Sequence, residues 1–81
     1  MKKYAFDNDI YGTIRKNIRK YRKEKKITSA QLAEAVELSH DFIRQIQSDK
    51  VAYNFSVDTL YRISVVLNVS LDDLVKKDNI D

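Results

Sequence analysis

The chain has 81 residues, which is enough for one domain with a single small hydrophobic core. It has no cysteine and one histidine, which excludes a disulfide framework and a thiolate metal site and leaves too few ligands for a histidine zinc site. With no proline and one glycine, the composition favours helices joined by short loops over a β-rich fold.

Positive charge is concentrated near the N-terminus. Fifteen basic residues against twelve acidic ones give the whole chain a net charge of +3. Residues 1–26 hold ten of the fifteen basic residues but only three of the twelve acidic ones. A basic segment of this kind is typical of phosphate-binding surfaces, although a solvated helix face has the same composition.

The sequence carries no targeting or membrane signal. Its first residues, MKKYAFDNDIYG, lack the apolar core of a signal peptide. No apolar run approaches the roughly 20 residues that a membrane-spanning helix needs. We therefore expect a cytoplasmic protein that does not contact a membrane.

The first predicted helix runs from Tyr11 to Lys25, after an N-terminal arm of residues 1–10. Its apolar residues Ile14, Ile18 and Tyr21 recur at helical spacing, whereas lysine and arginine fill the other faces. Thr28 is a predicted N-cap for the next helix, and Gln31 lies three residues later as a capping box requires.

The second and third predicted helices are short and separated by a tight turn. The second covers Ser29 to Glu37, and the third follows the N-cap Ser39 and ends near Ser48. Apolar side chains line one side of each helix: Leu32, Ala33 and Val36 in the second, Ile43 and Ile46 in the third. The other side of the third helix presents hydrogen-bonding side chains, which suits the major groove of DNA.

Two further helices are predicted after a loop over residues 50–55. The fourth begins at the N-cap Ser56 and directs Val57, Leu60, Ile63 and Leu67 inward. The fifth begins at the N-cap Ser70, pairs it with Asp73, and directs Leu71, Leu74 and Val75 inward. Three apolar residues of the fourth helix remain outside its stripe, and we expect this surplus surface to support a homodimer: Tyr61, Val65 and Val66.

Residues 12–74 resemble the helix-turn-helix domain of the phage-repressor and Cro-type family, also called the xenobiotic-response-element type. The resemblance rests on four segments: IRKNIRKYRKEKKIT, QLAEAVELS, DFIRQIQSDK and LYRISVVLNVSLDDL. It implies an all-α fold, a compact five-helix bundle with a lambda-repressor-like helix-turn-helix domain over residues 11–76 and a frayed tail at 77–81. It also implies a transcriptional repressor that binds double-stranded operator DNA as a homodimer on a two-fold site.

The resemblance and the charge pattern together assign residues to a DNA interface. The predicted base contacts lie in the third helix: His40, Asp41, Arg44 and Gln45. The predicted phosphate contacts are Ser29, Arg19, Lys23, Ser39, Ser48, Lys50, Tyr53 and Asn54, with Arg15 as a further candidate cation.

Several of these positions have two interpretations. Asp41 either accepts a hydrogen bond from cytosine N4 or is an acid favoured near a helix N-terminus. Arg44 is either a guanine reader or a phosphate clamp. Phe42 either contacts a thymine methyl group or packs against the second helix.

The chain departs from the family pattern at three positions. Glu37 stands in the turn where glycine is usual, and a left-handed backbone there costs on the order of 1 kcal/mol for a residue with a side chain. Gln47 stands where glutamate often pairs with an arginine, so a neutral hydrogen bond to Arg22 is expected. Phe55 replaces a proline before the fourth helix, and we expect it in the core or a dimer interface.

No residue pattern indicates an enzyme. The chain has no glycine-rich phosphate loop and no acidic pair framed by a base, so we predict no catalytic residue, metal, cofactor or small-molecule ligand. The alternative function is an antitoxin-like or adaptor module that binds another protein. Its contact surface would be the apolar residues around the arm, Tyr4, Phe6, Ile10 and Tyr11.

Overall fold

The computed structural model describes residues 3–48 and 55–77, and these residues form five α-helices and no β-strand. The helices are α1 (Ile10–Glu24), α2 (Ser29–Val36), α3 (His40–Ile46), α4 (Val57–Leu67) and α5 (Leu71–Val75). The predicted all-α, five-helix fold is therefore confirmed. Within the described ranges, every helix is too short or too polar to cross a lipid bilayer.

Hydroxyl side chains define where four of the helices begin. Ser39 Oγ accepts a hydrogen bond from the backbone N–H of Phe42 over 3.1 Å, and Ser56 caps α4 in the same way. Thr28 and Ser70 form complete capping boxes with Gln31 and Asp73. All four predicted N-caps are confirmed, because each cap depends only on residues three apart in the chain.

The start of α1 is stabilised by a residue further back in the arm. The Asp7 carboxylate accepts hydrogen bonds from the backbone N–H of Asp9, over 2.9 Å, and from the Thr13 hydroxyl. These hydrogen bonds, from Thr13 above all, lower the pKa of the Asp7 carboxyl group. The helix begins at Ile10, one residue before the predicted start, and Ile10 packs against the core.

The hydrophobic core lies between α1, the α2–α3 pair and α4, with α5 closing the bundle against α1 and α4. The predicted apolar residues of α2 and α3 are all buried. Among the described residues, the buried core comprises Ile14, Ile18, Leu32, Ala33, Val36, Ile43, Ile46, Phe55, Ile63, Leu67 and Leu74. Phe55 thus occupies the core, where it meets the ring of Tyr11 edge-on at 5.4 Å between centroids.

The predicted inner stripe of α4 is wrong at Val57. Its side chain is 76% exposed, whereas Thr59, Ile63 and Leu67 are buried. At 3.6 residues per turn, six residues place Val57 about 120° around the helix from Ile63, which turns it away from the core. The predicted inward direction of Leu71 and Val75 is also wrong: these side chains are 42% and 37% exposed, whereas Leu74 is fully buried.

The α2–α3 turn has the left-handed conformation that the family pattern implied. Glu37 has φ 63° and ψ 42°, and it ends α2. The following N–H, from Leu38, donates to the carbonyl oxygen of Ala33 over 3.0 Å, which closes the end of the helix. Leu38 packs against the core, so this turn fixes the angle between α2 and α3.

Candidate nucleic-acid interface

One side of α3 is buried and the other is open to solvent. Ile43 and Ile46 are fully buried, which fixes the helix against α2. His40, Asp41 and Arg44 are exposed, and Gln45 is partly exposed. The four predicted base-contacting residues therefore share the accessible part of this short helix, as their spacing indicated.

Two of these four residues form a salt bridge with each other. Arg44 Nη2 lies 2.9 Å from Asp41 Oδ1, three residues back on the same helix. Both side chains are largely exposed, so water and salt screen the pair and it contributes little to stability. The sequence-based predictions do not include this pair, although the i, i+3 spacing of its two residues is the known signal for such a bridge.

Phe42 follows the packing interpretation. It is only partly exposed and packs against the hydrophobic core. Its ring therefore helps to hold α3 in place, and the polar residues around it form the accessible surface.

The end of α3 is held by the buried carboxamide of Gln47, which is 7% exposed. Its Nε2 donates to the carbonyl oxygen of Ile43 over 2.8 Å and to Ser29 Oγ over 3.0 Å. Its Oε1 accepts a hydrogen bond from Arg22 Nε over 2.9 Å. The expected hydrogen bond between Arg22 and Gln47 is confirmed, whereas the bond to Ser29 was missed because nothing in the sequence pairs these two positions.

The basic residues of α1 have different surroundings. Arg19 is partly buried and donates from Nη1 to the backbone carbonyl oxygen of Gln47, at the negative end of α3. Lys23 is exposed on the same helix. Arg15 is buried, and its guanidinium lies 5.9 Å from the centre of the Phe55 ring. Arg15 is therefore a poor candidate for an external phosphate, in contrast to the expectation from charge alone.

The remaining predicted phosphate contacts lie at the start of α2, at the two ends of α3 and in the segment predicted as a loop. Ser29 and Ser48 are partly exposed, and Ser39 is exposed while its Oγ caps α3. The three loop positions, Lys50, Tyr53 and Asn54, lie outside the described residues.

Two short helices joined by a left-handed turn, with one polar surface on the second helix, define a helix-turn-helix domain. Residues 17–78 match the model of the Cro/C1-type HTH DNA-binding domain. The chain therefore belongs to the Cro/C1-type helix-turn-helix family, which is a DNA-binding family and not an enzyme family.

Individual relatives agree with this assignment. The chain is 32% identical over 68 residues to the immunity repressor protein of Bacillus phage phi105, a match that covers 84% of this chain and 46% of the relative. The chain thus spans about half the length of that curated relative. The N-terminal DNA-binding domain of SinR from Bacillus subtilis superimposes with a TM-score of 0.76 at 29% identity, covering 85% of this chain and 99% of that one.

A second solved structure supports the fold alone. The hypothetical transcription factor NHTF from Neisseria superimposes with a TM-score of 0.80 over 95% of this chain and 86% of that chain. Its sequence is only 16% identical, so the agreement concerns the arrangement of the helices.

Proposed function

We propose that this chain represses transcription by binding a specific site in double-stranded DNA, with α3 inserted in the major groove. The single observation that carries the proposal is the two-sided character of α3, whose isoleucines Ile43 and Ile46 are fully buried while its polar residues are accessible. A helix that is fixed by its buried side and presents mainly hydrogen-bonding side chains matches the donors and acceptors on base edges. Because similar proteins come from a phage and a bacterium, we propose the cytoplasm as the site of this binding.

Within the proposed interface, Gln45 reads a base pair directly. It is partly exposed, lies one turn beyond Asp41, and has the bidentate amide that suits adenine. Arg44 and His40 contact base edges or phosphates beside it. Because Asp41 pairs with Arg44, its carboxylate orients the guanidinium. The carboxylate also offsets the positive charge of Arg44, so the pair as a whole carries little net charge near DNA.

The proposed phosphate contacts surround this helix. Ser39 and Ser48 lie at its two ends, and Ser29 begins α2. Arg19 and Lys23 add positive charge from α1. From the sequence we propose three further phosphate contacts, which lie outside the described residues: Lys50, Tyr53 and Asn54.

We also propose that the chain acts as a homodimer through α4. Val57, Tyr61 and Val65 are 76%, 57% and 59% exposed, and they follow one another at four-residue intervals along the helix. A two-fold axis through Tyr61 would place two copies of α4 antiparallel, with Val57 of each copy facing Val65 of the other. Beside this stripe, a shallow groove of about 230 Å³ between α2 and α4 adds Ala35 and Val66 to the apolar surface.

Selection from a pool of random duplexes tests the function most directly, because the preferred site emerges from the pool itself. We expect enrichment of one sequence with two-fold symmetry and half-sites about one helical turn apart. Failure to retain any duplex at low salt would contradict DNA binding. That result, together with capture of a protein partner by the exposed Tyr4 and Phe6, would support the adaptor alternative.

A further inference from the structure

Arg22 is held in place entirely by neutral groups within the described part of the chain. Its Nε donates to the Gln47 side-chain oxygen, and its Nη1 donates to the backbone carbonyl oxygen of Ile27 over 2.8 Å. The salt bridges among the described residues involve Arg44 and Arg62, not Arg22. Since a guanidinium stays ionised in proteins, Arg22 keeps its full positive charge.

The side chains of Arg22 and Ser29 bind opposite ends of one carboxamide. Arg22 Nε donates to its oxygen, and Ser29 Oγ accepts from its nitrogen. A guanidinium has five N–H donors, of which the two bonds described above use two. The Ser29 hydroxyl accepts from Gln47, so its own hydrogen points elsewhere. Both residues are partly exposed, and both have donors left for an external acceptor.

We propose that Arg22 binds a DNA phosphate beside Ser29 and that Gln47 is the positioning residue for this contact. This inference rests on the proposed DNA-binding function, and it assigns Arg22 to the interface in addition to the cations predicted from the sequence. Gln47 orients the guanidinium through a neutral oxygen, so the charge remains available for the phosphate. The buried amide of Gln47 also links Arg22 to the last turn of α3, so phosphate binding by Arg22 is coupled to the position of α3.

A carboxylate at position 47 would remove this arrangement. It would neutralise Arg22, and one of its oxygens would face the carbonyl oxygen of Ile43, where Nε2 now donates. The test is Gln47→Glu, measured by fluorescence anisotropy with a labelled random-sequence duplex of about 20 base pairs over a series of NaCl concentrations. We expect weaker binding and a slope of log K against log salt that is smaller by about one per domain.

Asn68→Asp is the matched control for this charge change. Asn68 is exposed at the end of α4, and the substitution makes the same amide-to-acid change without touching Arg22. We expect the salt slope of this variant to equal that of the parent. Circular dichroism of each variant at the binding temperature establishes that it is folded.

Arg22→Gln and Arg22→Lys test the same phosphate contact if Gln47→Glu does not fold. Arg22→Gln should lower the slope by about one, whereas Arg22→Lys should retain most of it. A merely structural role would lower the melting temperature of these variants and leave the salt slope of the folded protein unchanged. An unchanged slope in Arg22→Gln would overturn the inference while DNA binding stands. A parent protein that binds no duplex would instead overturn the proposed function.

Discussion

Asn17 in α1 and Leu74 in α5 are joined by a buried hydrogen bond, in which Asn17 Nδ2 donates to the Leu74 carbonyl oxygen over 2.8 Å. The same nitrogen donates to the carbonyl oxygen of Lys76 over 2.9 Å. Asn17 is 4% exposed, and it supplies a donor for two carbonyl groups at the end of α5, of which the one on Leu74 is bonded in the buried interior. One side chain thus fastens the last helix to the first.

We expect Asn17→Ala to lower the free energy of unfolding by about 1–3 kcal/mol, because it removes the donor to the carbonyl oxygen of the buried residue Leu74 and to the partly buried one of Lys76. Urea denaturation followed by circular dichroism measures this change. Lys16→Ala is the control, since Lys16 is the exposed neighbour on the same helix and its loss should change stability by less than about 0.5 kcal/mol. Equal stability of the two variants would show that the hydrogen bonds of Asn17 contribute nothing.

Glu37→Gly should stabilise the domain, by about 0.5–1 kcal/mol. Glu37 has a left-handed backbone, in which a residue with a side chain is strained and glycine is not. Its carboxylate lies 3.7 Å from Arg62 but is largely exposed, so the loss of this pair costs little. The measurement is the shift in the urea midpoint.

Glu37→Ala separates backbone strain from the loss of charge. Alanine removes the carboxylate but keeps a Cβ atom, so we expect its stability to stay close to that of the parent. A gain in Glu37→Ala as large as that in Glu37→Gly would mean that the carboxylate, and not the backbone, destabilises the turn.

The parts of the fold that depend on local spacing could be predicted from the sequence. Ser39 and Ser56 each cap a helix through an N–H three residues away, and the buried residues of α2 and α3 recur at helical intervals. The direction of Val57 could not be predicted in this way. Several rotations of α4 satisfy its apolar pattern, and only its packing against the other helices selects one.

The candidate interface shows the same division. The polar face of α3 follows from residue spacing, and the hydrogen bond between Gln47 and Arg22 was expected from the family resemblance. The bond from Gln47 to Ser29 joins residues 18 positions apart and could not be predicted in either way. The positions of basic residues in the sequence also do not show which of them reach the surface. Arg15 is buried against Phe55, whereas Lys23 is exposed. Such contacts depend on how the helices are arranged in space, which the local pattern does not contain.

Gln45→Ala should change which DNA sequence is preferred, with a loss of about 1–3 kcal/mol that is confined to one base pair of the site. Lys23→Ala is the comparison variant, because an exposed lysine on α1 should contact phosphates and weaken all sequences alike. Competition binding with single-base variants of the selected site measures both effects. If Gln45→Ala weakens all of these duplexes equally, Gln45 does not read a base.

The exposed stripe on α4 makes the homodimer directly testable. We expect the double variant Tyr61→Ser, Val65→Ser to weaken self-association by at least about tenfold, because it removes apolar area that each copy would bury against the other. Sedimentation equilibrium measures the association constant, and serine adds no charge that would itself alter DNA binding.

Phe6→Ser is the control: Phe6 is 79% exposed but lies in the N-terminal arm, so its loss should leave the dimer intact. If Phe6→Ser dissociates the dimer and the α4 variant does not, the arm is the interface. If the parent is monomeric with and without DNA and occupies a single half-site, neither surface pairs two copies, and the specificity of one domain must come from α3 alone.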